Sequence, residues 1–468
     1  MGFWQRQRTG LGDLRQVLAS RRGGAVRTIS CWLRMRVEAM RGGARTAAPM
    51  PRPVAVPALV LPEQPAVSII VPVYNHVGMT LECLRSIAAA GAAHDFEVVV
   101  VDDASDEDVE PLHRWPGIVY LRNPRNSGFV ASCNAGAAAA RGAVLVFLNN
   151  DTLVGPGWLD RLLETLALPG VGLAGARLRY PDGQLQEAGG IVFSDGSAWN
   201  YGRGGDPDDP RYSYRREVDY CSGAAIALAR GRFVALGGFD LRYAPAYYED
   251  TDLAMAVRAS GGKVVFDPAA DVVHLEGMTA GTDVSSGVKS HQTGNRFKFS
   301  GKWAGSLDRG HPVPGTHPDV AVRLRARFRV LAVHAPGQEH DPAFHELLAC
   351  LVDLGCAVDL LLVDALPPAH TDALRRAGIC VWPERWRATA RWMLCRTGAD
   401  TEALLEDGTP TGRQAAEHLA RDVPQARRFV FRKRQDREPM ESARPVASAA
   451  SLVGWLDPRV PAGAPRPR

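Results

Sequence analysis

No uninterrupted apolar run in the 468 residues approaches the ~18 that a membrane-crossing helix needs. The first residues also lack the apolar central stretch of a secretory signal. Residence in the cytoplasm is therefore expected, with peripheral attachment to the inner face of the membrane if a basic arm finds lipid there. None of the eight cysteines lies in a CxxC pair, which argues against a zinc or dithiol framework and for reduced, mostly buried thiols. There is no GxxxxGK[ST] phosphate loop, no HExxH zinc helix and no GxSxG elbow, and His345-Glu346 lacks the second histidine. No internal repeat is found.

A chain of this length is too long for one ordinary core and implies two or more domains. Charge is unevenly spread. Residues 1 to 52 hold 11 Arg and no Lys against Asp13 and Glu38, a surplus of +9. With the whole chain at +4, the remainder carries −5. This arm reads either as a solvated, partly helical tail or as a contact for anionic headgroups. Nucleic acid is not an expected partner, since no aromatic-studded basic sheet or reading helix accompanies it. Six prolines between Pro49 and Pro65 make an extended linker that closes a first region, 1–65.

Order begins at Val67 to Tyr74, whose continuous apolarity predicts a strand buried on both faces. Leu81, Leu84 and Ala88 then recur at helical spacing. Phe96 to Val101, Ile118 to Leu121 and Ala143 to Leu148 are further strands. Between them Ser127 could cap a helix through Ala140 that closes at Gly142. Trp158, Leu159, Leu162, Leu163 and Leu166 line one helical face. Residues 170 to 246 are rich in turns; Leu253, Ala256 and Val257 mark a helix ending at Gly261-Gly262; Lys263 to Phe266 and Val272-Val273 read as short strands. Such alternation means α/β with a mostly parallel sheet. Ligands bind beyond the carboxyl ends of such strands. Three of these ends are polar: Tyr74-Asn75, Asp102-Asp103 and Asn149 to Asp151.

Hard divalent cations bridge phosphates using one or two side-chain oxygens, and Asn149-Asn150-Asp151 could supply them. Alone the turn says little, because Asn-Asp turns commonly just end a strand. The ordered series says more: Ser68 to Asn75; Val98 to Ser105; Asn126-Ser127-Gly128-Phe129 with Asn134 and Gly136; Phe147 to Thr152; Ser222-Gly223-Ala224; Gly237 to Asp240; and Tyr247 to Leu253. Over about half the chain this series resembles the inverting family 2 glycosyltransferases, most closely their rhamnosyltransferase-like branch.

The resemblance implies a GT-A fold, Rossmann-like, over 66–305. It implies transfer of a sugar from a nucleotide diphosphate donor to a glycan or lipid-linked acceptor in polysaccharide or cell-envelope glycan synthesis, with Mg²⁺ or Mn²⁺ as cofactor. By the family's motifs, Pro72, Tyr74 and Asn75 line the nucleotide pocket. Asp102 and Asp103 accept from the base and ribose. Asn126, Gly128, Asn134, Asn149, Asn150, Gly223 and Glu249 border the donor. Asp151 matches the last position of the Asp-x-Asp metal motif, whose first position is here Asn149, and His274 matches a histidine that approaches the metal or diphosphate. Asp250 matches the general base, and its place near a helix N-terminus implies that the dipole favours its ionised form. The bland alternatives are that Glu249, Asp250 and Asp252 cap a helix and that His274 is structural. Asn149 also suits a catalytically silent nucleotide-sugar-binding or scaffold protein.

Residues 306–327 read as a linker. Residues 328–435 read as a smaller second α/β unit resembling part of a GT-B half-domain, with strands at 329–333 and 357–363 around a helix near 344–354, and with a structural or acceptor-positioning role. Residues 436–468, rich in Pro, Ala and Arg, read as a disordered tail.

Overall fold

A computed structural model describes residues 58–275, 291–335, 342–386, 390, 401–421, 423, 425–431, 444–446 and 448–456. The basic arm and most of its linker lie outside these residues. The chain forms two compact units, divided between Val322 and Arg323.

The first unit opens with β1 (Val67–Val73), α1 (Val77–Ala90), β2 (Phe96–Asp102), a single helical turn α2 (Glu110–His113) and β3 (Ile118–Arg122). It continues through α3 (Phe129–Ala139), β4 (Val144–Leu148), β5 (Thr152–Val154), α4 (Trp158–Leu166) and β6 (Val171–Arg179). Next come the short strands β7 (Leu185–Glu187), β8 (Gly190–Val192), β9 (Ala198–Asn200) and β10 (Arg216–Glu217), followed by β11 (Ala225–Ala229) and α5 (Arg230–Ala235). The unit ends with α6 (Glu249–Ala259), β12 (Lys263–His274), α7 (His291–Leu307) and α8 (Pro318–Ala321).

The main sheet runs β10-β12-β6-β11-β4-β1-β2-β3. Strands β3, β2, β1 and β4 are mutually parallel, β11 runs against both its neighbours, and β12 returns parallel to β6. The expected Rossmann-like, mostly parallel sheet is therefore present. Its continuous apolar strands have a direct cause. Ile70, Val99 and Val101 enter the core on one side, while Ile69, Val71, Val98 and Val100 enter the core on the other. Each such side chain, fully withdrawn from water, stabilises the fold by roughly 1.5–3 kcal/mol before entropy is counted.

Several local expectations need correction. Ser127 does not cap α3. Gly128 occupies that position at φ 85°, and no side chain caps the helix. Gly142 does not close it either: the helix ends at Ala139, and Gly142 is needed because a Cβ there would stand 2.6 Å from the Ser68 backbone nitrogen. The two short strands near 263 and 272 are one strand, β12, interrupted by an irregularity between Asp267 and Asp271. The last linker residues pack onto the domain. Leu59 is buried, and Arg141 donates to the carbonyls of Pro62 and Glu63. Of the described cysteines, Cys83, Cys133, Cys221, Cys356 and Cys380 are buried and Cys350 is exposed.

The second unit contains β13 (Arg329–His334), α9 (Pro342–Asp353), β14 (Ala357–Leu362), α10 (Pro368–Arg376), β15 (Cys380–Trp382), β16 (Ala403–Glu406), α11 (Pro410–Leu419), β17 (Arg427–Phe431), β18 (Arg444–Val446) and α12 (Ala449–Leu456). Its strands form one wholly parallel sheet ordered β15-β14-β13-β16-β17-β18. That is a full doubly wound sheet rather than the start of one, and it reverses direction between β13 and β16. Val446, Leu452 and Val453 join its core, so residues 444–456 belong to the unit although their composition predicts disorder. Among the described residues no helix is long and apolar enough to cross a membrane.

Candidate active site

The carboxyl ends of β1, β2 and β4 meet above the first sheet, and the backbone there is tightly held. Asn75 sits at φ 57°. It donates its backbone N–H to Ser105 Oγ (2.7 Å), and its side-chain oxygen accepts from the Asp106 backbone N–H (2.8 Å). It therefore latches two loops together and does not line the cavity described below. Asp102 is fully buried. It accepts from the Ser105 backbone (2.9 Å), Tyr120 Oη (2.7 Å) and Arg122. Burial alone would raise its pKa, but these hydrogen bonds and the Arg122 charge together hold it below the ordinary aspartate value. Asp102 thus fastens β2 to β3 and does not face the cavity, contrary to its expected contact with the base. Asp103 does face it, yet its carboxylate accepts from the backbone N–H groups of Ser127 (2.9 Å) and Gly128 (2.7 Å) and from Asn123 Nδ2 (2.7 Å). Asn134 is also displaced from its expected role. It donates to the Phe239 carbonyl (2.8 Å) and accepts from the Phe239 N–H (2.9 Å), bracing the Gly237-Gly238 turn.

After β4 the chain turns through Asn149, Asn150 and Asp151. Asn150 is committed to the scaffold, donating to Thr80 Oγ1 (3.0 Å). Thr152 Oγ1 donates to the Asn149 carbonyl (2.7 Å). Antiparallel pairing of β5 with β12 places Thr152 opposite His274. This pairing brings together two residues 123 positions apart in the chain: His274 Nε2 lies 3.2 Å from Asp151 Oδ1. The other ring nitrogen, Nδ1, is 3.0 Å from Gln186 Oε1. A proton on Nδ1 donated to Gln186 leaves the Nε2 lone pair facing the Asp151 carboxylate, an arrangement suited to a shared cation. The buried Asn149 Oδ1 has no hydrogen-bond partner among the described residues. The Asn149 amide turns its Nδ2 toward His274 Nε2 (3.4 Å), so Asp151 and His274 are the pair placed to share a cation that takes its remaining ligands from phosphate and water. Among the described residues no group of three or more His, Cys, Asp or Glu could hold a metal by itself.

Asp250 stands in the first turn of α6. It accepts from the Gly223 N–H through Oδ2 (3.0 Å) and from the Thr251 N–H (2.6 Å) and Oγ1 (3.1 Å) through Oδ1. A Cβ on Gly223 would lie 3.4 Å from the Asp250 Cβ, an ordinary van der Waals contact, so the two segments pack directly against each other. The segment leading into Asp250 is strained, with Tyr247 and Tyr248 at φ 76° and 75°. Buried Asn295 holds this segment by donating to the carbonyls of Tyr243 (2.9 Å), Ala246 (2.9 Å) and Tyr247 (3.0 Å). The dipole expectation for Asp250 is reversed in direction. Burial raises its pKa above the ordinary aspartate value, and the hydrogen bonds from Gly223 and Thr251 offset only part of that. Glu249 is raised further, by burial and then by the Asp250 charge, and its Oε2 has no hydrogen-bond partner among the described residues. Asp252 points elsewhere, accepting from Tyr243 Oη (2.9 Å), Trp303 Nε1 (2.7 Å) and Lys302 Nζ (2.7 Å).

All of this frames a cavity of about 670 Å³. Pro72, Tyr74, Asp103, Asn126 and Gly128 line it on the side of the β1 and β2 ends. Asn149, Asn150, Asp151 and His274 form one corner, and Gly223, Glu249 and Asp250 are the other predicted residues that line the cavity, whereas Asn75, Asp102 and Asn134 do not. Gly128 earns its place sterically, because a Cβ there would meet the Pro245 Cβ at 2.6 Å. The cavity also contains Gln186, Glu187, Trp199, Asn200, Arg203 and Gln292, none of which the motifs single out. The loop- and turn-rich character of 170–246 hinted at the first five, and no sequence signal pointed to Gln292.

Residues 68–236 match the model of the family described as "Glycosyl transferase family 2". The chain carries a family 2 glycosyltransferase domain. It is 32% identical over 234 residues to the O-antigen biosynthesis protein RfbC of Myxococcus xanthus, covering 47% of this chain and 18% of that one. It is 26% identical over 292 residues to the N-acetylglucosaminyl-diphospho-decaprenol L-rhamnosyltransferase of Mycobacterium tuberculosis, covering 54% of this chain and 92% of that one. The chain spans a quarter or less of the length of the first curated relatives it matches. A crystal structure of GalNAc-T7 with UDP, GalNAc and Mn²⁺ is similar at a TM-score of 0.40 and 19% identity, covering 52% of this chain and 48% of that one.

Proposed function

We propose that this glycosyltransferase domain is an inverting transferase that moves a sugar from a nucleotide diphosphate donor to a glycan or lipid-linked acceptor. The observation that carries the reading is the placement of Asp250. It is a half-buried carboxylate of raised pKa, fixed by the Gly223 N–H, and it opens on the same cavity as the Asp151–His274 corner. Asp250 accepts the proton of the acceptor hydroxyl as that oxygen attacks the anomeric carbon. The bond from that carbon to the diphosphate oxygen breaks on the opposite face, and configuration inverts. Asp151 and His274 would hold Mg²⁺ or Mn²⁺, which when bound supplies positive charge to the leaving diphosphate. The backbone at Pro72 and Tyr74, with Asn126 and Gly128, forms the nucleotide side. Names of relatives point toward rhamnose and toward envelope polysaccharide, and we take that pathway as the first to test.

A second reading is favoured by Asn149, which leaves one carboxylate at the metal corner: a catalytically silent protein that binds nucleotide sugars. One assay separates the two. Nucleotide sugars and glycan or lipid-linked acceptors are incubated with the full chain, with and without Mn²⁺ or Mg²⁺, and acceptor-dependent nucleoside diphosphate release is followed. Metal-stimulated release supports transfer; thermal stabilisation by a nucleotide sugar without release supports the silent reading.

A further inference from the structure

Trp199 is the one large aromatic residue besides Tyr74 that the cavity leaves substantially exposed, at 53%. An indole this exposed beside a well-packed core loses much of the stabilisation that burial would give it, unless a ligand covers it. Trp199 lies on β9, the second strand of a two-stranded hairpin with β8, opposite Ile191. Of the hydrogen bonds that tether this hairpin, two side-chain ones lead to the base. Tyr248 Oη donates to the Gly196 carbonyl (3.0 Å), and Tyr248 lies two residues before Asp250. Tyr220 Oη donates to Asn200 Oδ1 (2.7 Å), and Tyr220 lies three residues before Gly223, which donates to Asp250.

Given the transferase reading above, on which this rests, we propose that Trp199 is the stacking platform for a saccharide ring of the acceptor. The base must receive its proton from the acceptor, so a surface fixed to the Asp250 segment faces the acceptor rather than the nucleotide, which lies toward the ends of β1 and β2. The chemistry of the wall selects a sugar over a lipid chain. A pyranose offers one C–H face to an aromatic ring and a rim of hydroxyls. Here the indole is accompanied by Asn200, Arg203 and Gln292, which suit hydroxyls and would disfavour an alkyl chain.

The test uses the full chain and a panel of methyl glycosides of common hexoses, with binding read by saturation-transfer NMR. Trp199→Ala should weaken the glycosides that bind wild type by about tenfold, and Trp199→Phe should restore most of that. The melting temperature of Trp199→Ala serves as the folding control. In turnover, Trp199→Ala should raise the acceptor KM and spare the donor KM. Glycoside binding equal in wild type and Trp199→Ala overturns the platform, as does failure of every glycoside to bind wild type. A donor KM that rises as much as the acceptor KM overturns its assignment to the acceptor. Trp199-dependent glycoside binding in a protein that releases no nucleoside diphosphate would keep the platform and sink the transferase reading instead.

Discussion

Asp250 and Glu249 are neighbours in sequence with different chemical prospects. Asp250 is raised by burial but hydrogen-bonded at both oxygens. Glu249 is raised further and has an oxygen without a hydrogen-bond partner. A group whose folded pKa lies above its unfolded value gives stability that is full below the unfolded pKa and lost as pH rises through the folded pKa. Glu249→Gln mimics the protonated form. Its melting temperature should therefore match wild type near pH 4 and exceed it by a growing margin from about pH 4 upward. Parallel curves in a pH series of melting temperatures would show that Glu249 is not held protonated. For Asp250 the same direction has a kinetic consequence: the acidic limb of kcat/KM should fall above the ordinary aspartate range. At the metal corner, Asp151→Ala should abolish Mn²⁺-dependent binding of a nucleoside diphosphate in calorimetry. Unchanged affinity would take Asp151 out of the site.

Elements, rather than single motifs, decide where these groups point. The buried strands β1, β2 and β4 were legible because residues apolar on both faces leave a continuous signal. So was the polar character of their ends. What the sequence hid was which polar side chain turns inward. Asp102 and Asn134 carry the same motif signal as Asp103 and Asn126. Yet Tyr120 and Arg122 on β3 claim Asp102, and the Phe239 turn claims Asn134. Both partners lie far along the chain, and no local pattern announces them. The β8–β9 hairpin was likewise invisible, because strands of three residues are too short for periodicity. Asn295 on α7 shows what such distant contacts do. Asn295→Ala removes the two amide N–H groups shared among the Tyr243, Ala246 and Tyr247 carbonyls, which hold the strained approach to Asp250. It should cost about 1–3 kcal/mol of stability and lower kcat more than it changes donor affinity. Thermal melts together with donor titration check this, and a stable variant with normal kcat would refute the bracing role.

At the scale of the whole chain, each of the two sheets is complete on its own strands, and only the first bears the family motifs. The second, with its reversal between β13 and β16, was underestimated because its last strand and helix lie in a stretch whose Pro, Ala and Arg content suggests disorder. The arm of residues 1–52, with its +9 surplus, lies outside the described residues. If it meets anionic lipid, a chain lacking it should lose association with phosphatidylserine vesicles, and the association of the full chain should weaken with salt. Equal vesicle binding by both would leave the solvated tail. The most direct test of the catalytic reading is acceptor-dependent nucleoside diphosphate release from nucleotide sugars by the full chain, measured beside Asp250→Asn. A positioned general base contributes about 10²–10⁴ to the rate, so the variant should bind donor normally and lose about that much of kcat. Release from wild type with turnover in Asp250→Asn within a few-fold of it would contradict the assignment of Asp250 as the base.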